Sequence, residues 1–228
     1  ATPGGISVIQ HRPITLAEKA KWYEDEIDRY SRRTPYEFVL EVSMEKPGVK
    51  KNWKQYDSDN DGLWTSMYGA GECFAYAATG NIQSKVRAKK AFDAMVFLGD
   101  VTQGNKHSPP PGYVARTVLP TSGPDPNIGR IDRDKHKKET DDTMWKIYEP
   151  RWPTSADGKW YYKTDTSSDE LDGHYFLYAL YYDLVADTEF EKERVRTQIK
   201  GLTDHIIKHG FQLMEHDGTP TRWARYSP

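Results

Sequence analysis

Asp57-Ser58-Asp59-Asn60-Asp61-Gly62, running straight into Leu63-Trp64-Thr65-Ser66-Met67-Tyr68-Gly69-Ala70-Gly71-Glu72-Cys73-Phe74-Ala75-Tyr76-Ala77-Ala78, decides the fold class. A polar, acidic loop feeds a stretch that is apolar almost all round. A helix of that kind is buried on most sides, and its small residues let neighbouring helices approach closely. Thr79-Gly80-Asn81 is a turn. Gln83 to Leu98 then reads as an amphipathic partner, with Lys85, Arg87, Lys89, Lys90 and Asp93 outside and Val86, Phe92, Met95 and Val96 inside. The pair is an αα-hairpin.

The same plan returns further on. Asp165-Thr166-Ser167-Ser168-Asp169-Glu170 leads into the apolar run Leu171 to Val185. After Ala186-Asp187-Thr188 comes a charged helix from Glu189 to His209, stopped by Gly210. The recurrence is one of plan rather than residue identity, a weak internal repeat. Ahead of both hairpins, Thr15 and Glu18 form a capping box for a peripheral helix over Thr15–Tyr30. Between them, residues 99–164 are a long loop insertion, rich in turn formers, with one helix expected over Lys135–Trp145 and a short strand or two. A connection far beyond ~15 residues is functional or disordered. The interspersed Tyr113, Trp145, Tyr148, Trp152, Trp160, Tyr161 and Tyr162 argue for order. The expected fold is mainly α, one domain over residues 1–228.

Composition narrows the function classes. The 228 residues carry Lys+Arg 32 against Asp+Glu 34, a net charge of -2, which lacks the basic footprint of a nucleic-acid binder. Aromatic residues make up 13%, too many for a disordered chain. The single cysteine, Cys73, excludes an internal disulfide framework and reads as a small buried hydrophobe. No run approaches the ~20 apolar residues that span a bilayer. There is no His-Glu-x-x-His, glycine-rich phosphate loop or Gly-x-Ser-x-Gly, which disfavours zinc proteases, nucleotide enzymes and common serine hydrolases.

Alternating inner and outer helices, with acidic and aromatic loops feeding the inner ones, resemble the six-hairpin (α/α) toroid superfamily of glycoside hydrolases and polysaccharide lyases. The resemblance is carried by Asp57 to Gly80, Thr164 to Asp187, and the tail Glu215-His216-Asp217-Gly218-Thr219-Pro220-Thr221-Arg222-Trp223, which is similar to a loop leading from an outer to an inner helix. It is a likeness of plan with no diagnostic motif. A complete toroid needs roughly twice as many helices as this chain shows. The expectation is therefore an incomplete toroid whose missing helices come from the rest of a longer chain, the alternative being a smaller helical array. The resemblance implies a secreted or periplasmic carbohydrate-active enzyme, hydrolase or uronate lyase, acting on a polysaccharide or oligosaccharide. Its rival is a non-catalytic glycan-binding or scaffold protein.

Candidate residues follow from position and chemistry. Asp165, Asp169, Glu170, Asp172 and His174 cluster where the second inner helix begins. Two carboxylates can flank a glycosidic bond and a histidine beside them is a tunable proton carrier. The same residues also serve as N-cap and helix-dipole partners. Glu72, inside a small-residue helix, either pairs with a cation or lines a cavity. Arg116 suits a uronate carboxylate as well as a structural ion pair, and Tyr113 or His174 suits the base of a β-elimination. His216, Arg222 and Trp223 combine a polar group, a carboxylate clamp and a stacking ring, which fits a substrate-binding subsite or a loop anchor. Asp57, Asp59, Asp61 and Gly62 match the opening of a calcium loop, but Tyr68 stands where an EF-hand has its bidentate Glu. Calcium, sugar contact and a helix cap at Asp61 all remain open, and no other cofactor is implied.

Overall fold

Thr15 starts α1 (Leu16–Glu26) as its sequence predicts. Its hydroxyl accepts the Glu18 N–H at 3.2 Å, while the Glu18 carboxylate accepts the Thr15 N–H at 2.8 Å. The computed structural model describes Val8 and residues 10–226, and it is mainly α-helical. No residue of α1 is buried, as befits a peripheral helix.

The first hairpin is α2 (Asp61–Thr79) and α3 (Ile82–Asp100). Gly80 closes α2 in the left-handed conformation (φ +68°), and the Asn81 side chain caps α3 by accepting the Gln83 N–H at 2.8 Å. The second hairpin is α5 (Ser168–Leu184) and α6 (Glu189–Lys208), the latter capped by Thr188, whose hydroxyl accepts the Glu191 N–H at 3.2 Å. In the insertion between them lies α4 (Arg130–Thr140).

α2 and α5 pack side by side and run parallel, because their contacts advance together. Gly62 meets Glu170 and His174, Gly173 meets Leu63 and Ser66, and Gly69 meets Leu177. The small residues are what permit this approach. A Cβ at Gly69 would stand 2.7 Å from the Ala91 Cβ and 3.0 Å from Leu177, and one at Gly173 would stand 2.5 Å from Ser66 Oγ. α3 covers α2 and touches α5, while α6 covers α5. Lys89–Glu191 (2.9 Å) and Arg194–Asp93 (2.7 Å) tie these two outer helices together. Rings fill the space between the layers. Phe92 stacks on Tyr181 with centroids 4.5 Å apart and meets Tyr178 edge-on at 5.4 Å, arrangements that add ~0.5–1.5 kcal/mol each beyond area burial.

Two expectations are corrected. The helix of the insertion lies five residues earlier than the predicted 135–145, because Gly129 (φ +64°) turns the chain into it and Asp141 ends it. Trp145 sits beyond the helix, and its indole N–H reaches back to Asp134 at 3.1 Å. On α2, the buried face is made of small and polar residues such as Gly62, Thr65, Ser66 and Gly69. Trp64, Met67 and Phe74, its largest apolar side chains, are 42%, 52% and 52% exposed.

Among the described residues, four two-stranded antiparallel sheets brace the loops. They are β1 (Arg32–Arg33) with β2 (Phe38–Val39), β3 (Val42–Ser43) with β4 (Lys54–Gln55), β5 (Val118–Pro120) with β6 (Trp160–Tyr162), and β7 (Gln212–Met214) with β8 (Pro220–Arg225). The β5–β6 pair falls inside the insertion, where short strands are expected. The β7–β8 hairpin replaces the loop expected for the tail, with Gly218 (φ +77°) in its turn.

Candidate functional site

Both acidic loops arrive at one end of the parallel pair α2 and α5, and Arg116 holds them there. Its Nε donates to the Asp59 carbonyl at 3.0 Å and its Nη1 to the Asp165 carbonyl at 3.3 Å. Asp59 and Asp165 each stand in the left-handed region, at φ +66° and +63°. Aspartate tolerates that conformation better than most residues, and surrounding contacts must hold it. Lys163 pairs with the Asp59 carboxylate. A parallel bridge between Ser167 and Trp223 lays β8 beside the start of α5.

Beneath this end are two buried polar networks. In one, Asp61 takes an ion pair from Arg33 and hydrogen bonds from the Thr117 hydroxyl (2.9 Å) and the Val118 N–H (3.1 Å). In the other, Arg151, 1% exposed, bridges Asp134 (2.7 Å) and Asp165 (3.0 Å). Beside it the Tyr113 hydroxyl contacts both oxygens of Glu215 at 2.8 and 2.7 Å, and the Thr166 N–H donates to Glu215 at 3.1 Å. Burial pushes the Glu215 carboxyl up to about 8, against the opposing pull of Tyr113 and with help from the Asp165 charge.

The predicted residues divide by this geometry. Asp165, Tyr113 and Arg116 meet in the networks, Tyr113 buried and its phenol raised by burial and by Glu215. Asp169 is partly exposed in the first turn of α5. Glu170 and His174 are fully buried against Gly62. His174 Nδ1 lies 2.8 Å from the Glu170 carbonyl, and among the described residues the Glu170 carboxyl oxygens and His174 Nε2 have no hydrogen-bond partner. Burial raises the Glu170 carboxyl well above its ordinary value and lowers the His174 imidazole to about 4, which leaves the imidazole neutral near pH 7. Glu72 stands apart among Glu24, Ser84 and Arg87, its carboxyl pushed up to about 7 by burial. Arg222 spends its fork on Asp142 at 2.9 and 2.7 Å and lies 3.9 Å from the centre of the Trp223 ring. His216 Nε2 lies 3.1 Å from the Pro150 carbonyl, and its ring meets His107 edge-on at 5.4 Å. Glu72, Asp169, Glu170, His174 and Arg222 therefore do not surround one cavity.

The calcium-loop residues do not converge either. Asp57 accepts the Asp59 N–H at 2.8 Å, Asp59 faces Lys163 and Asp61 faces Arg33. Among the described residues no three His, Cys, Asp or Glu side chains are grouped to hold a metal, so these carboxylates fit the role of loop fasteners.

Sequence reasoning missed Arg33, whose partners Asp61 and Thr117 lie 28 and 84 residues away, and Asp134 and Arg151, which meet only once the insertion folds back on itself. The clue to Arg151 is a cation set between Tyr148 and Trp152. Arg151 also lines a cavity of about 550 Å³ in the insertion, with Lys106, Arg130, Glu149, Trp152 and Tyr161. Compared with models of known families, with curated proteins and with solved structures, the chain matches none.

Proposed function

We propose that this protein is a carbohydrate-active enzyme on an (α/α)-toroid-like plan, cleaving a glycosidic bond at the end where α2 and α5 begin. The observation that carries this reading is the pinning of both acidic loops by Arg116 at one end of parallel helices. Partly exposed Asp169 and exposed Trp64 and Trp223 belong to the segments gathered there. Carboxylates flanking a bond, with rings to stack on sugar faces, are the requirements of glycoside hydrolysis.

Hydrolysis fits better than elimination. Tyr113 and His174, the candidate bases, are buried, and Arg116 and Arg222 already hold protein oxygens. Asp169, the partly exposed carboxylate of the first turn of α5, is assigned proton transfer. A polymeric substrate does not cross membranes unaided, so the secreted or periplasmic placement goes with this proposal. In the described residues no helix is long and apolar enough to cross a membrane.

A second reading, glycan binding without cleavage, is favoured by the burial of Glu170 and His174. Incubation with a panel of neutral and uronate-bearing polysaccharides separates the two. New reducing ends that vanish in Asp169→Asn support the hydrolase, and unsaturated uronate products would instead make it a lyase. Binding without any new ends leaves the glycan-binding protein.

A further inference from the structure

The cavity in the insertion is chemically distinct from the acidic end described above. Strand alternation builds its wall: Tyr162 is fully buried towards the core, and the neighbouring Tyr161 faces the cavity from the other side of β6. Trp152 lines it as well, held in place because Asn127 exchanges hydrogen bonds with the Trp152 N–H (3.0 Å) and carbonyl (2.9 Å). About 550 Å³ falls in the ordinary range for small-ligand pockets.

The charges around it nearly cancel. Arg130 is paired with Asp134 at 2.9 Å, and Arg151 with Asp134 and Asp165. Lys106, Asp125 and Glu149 remain, without a charged partner among the described residues. With three cations and two carboxylates on the wall, two of the cations already paired, neither sign dominates and a net charge on the ligand gains little. Hydroxyl groups both donate and accept, so they suit a wall that alternates Lys106 and Arg130 with Asp125 and Glu149. A pyranose ring also presents a flat face of C–H bonds to an aromatic side chain such as Tyr161.

We propose that this cavity is a binding site for an uncharged sugar unit, with Glu149 and Lys106 bonding its hydroxyls and Tyr161 stacking on its face. It adjoins the acidic end through Arg151, shared by the cavity wall and the Asp165 loop, and through the His107–His216 contact. The choice of ligand class rests on the carbohydrate reading, while the preference for an uncharged unit rests on the cavity alone.

The test is calorimetric titration of the full chain with neutral disaccharides (cellobiose, maltose, lactose and xylobiose) and with digalacturonate and glucose 6-phosphate as charged probes. At least one neutral disaccharide binds, and both charged probes bind at least ~tenfold more weakly or not at all. Glu149→Gln and Tyr161→Ala each weaken the neutral sugar ~tenfold or more, as expected for a lost hydrogen bond to a charged group or a lost stacking surface. Lys106→Ala, at an exposed position, gives a third variant if Tyr161→Ala lowers the Tm. Tighter binding of a charged probe, or unchanged binding in the Glu149 and Lys106 variants, overturns the proposal. If polysaccharide cleavage continues with unaltered KM in those variants while Asp169→Asn abolishes it, the cavity assignment falls and the enzymatic reading stands. If no carbohydrate is bound or cleaved, both fall.

Discussion

Replacing Glu215 with glutamine should remove one proton's worth of pH dependence from folding. In the native state its carboxyl is fully buried and titrates at about 8, against an ordinary value of 4.5. Between those values the folded chain keeps a proton that the unfolded chain has lost. Stability attributable to this group is thus fully present below pH 4.5 and declines as pH rises through 8. Each pH unit is worth about 1.4 kcal/mol, so about 3 kcal/mol is lost from pH 5 to pH 7. Glutamine is neutral throughout and keeps a carbonyl to accept from Tyr113 and Thr166. Urea denaturation of both proteins at pH 5, 6, 7 and 8 measures the two slopes. Glu170, also buried and raised, contributes to both proteins and cancels in the difference. The variant's stability should fall less steeply by about 1.4 kcal/mol per unit. Parallel slopes would refute the reasoning, showing that Tyr113 and the Thr166 N–H hold Glu215 as an anion.

Other perturbations test the packing and the clamp. Gly69→Val places methyl groups against Ala91 and Leu177 and should cost about 1–3 kcal/mol, read as a lowered Tm. Arg116→Ala removes two charge-assisted hydrogen bonds to loop carbonyls and should cost about 2 kcal/mol. It should also speed amide hydrogen exchange at residues 57–61 and 163–168 more than in α3. Cys73 is fully buried, with its thiol pushed up to about 12 by burial, so it should resist a thiol-specific reagent until the protein unfolds.

The helices were legible because their signals are local. Apolar spacing, the Thr15–Glu18 capping box and the stop at Gly80 each depend on neighbours within a turn or two. The β7–β8 hairpin carries a local signal too, the Asp217-Gly218 turn pair, which outweighs the tail's likeness to a helix-feeding loop. The site was less legible. Arg116 reaches carbonyls 57 and 49 residues away, and nothing in its vicinity in the chain shows that they are backbone rather than ligand oxygens. Glu170 and Asp169 are adjacent in sequence, but helical geometry turns one into the α2–α5 seam and leaves the other at the surface. Acidic composition alone cannot assign those fates.

The orientation of α2 gives a test of what such a run of residues specifies. Apolar character all round reports surface chemistry, while the small residues decide which side meets α5. Gly62, Ser66 and Gly69 claim the seam, so Trp64 is turned outward in the first turn, directly after the Asp57–Asp61 loop. At 42% exposed, Trp64 suits a ring against which sugar stacks beside carboxylates. Truncating a core tryptophan to alanine typically costs about 3–5 kcal/mol. Trp64→Ala should cost less than that, because 42% of its surface is already in water, yet it should weaken glycan binding or raise KM. Chemical denaturation of the variant needs no knowledge of the ligand. A full core-sized loss would show that α2 buries this face in the folded protein, and Trp64 could not then meet a substrate.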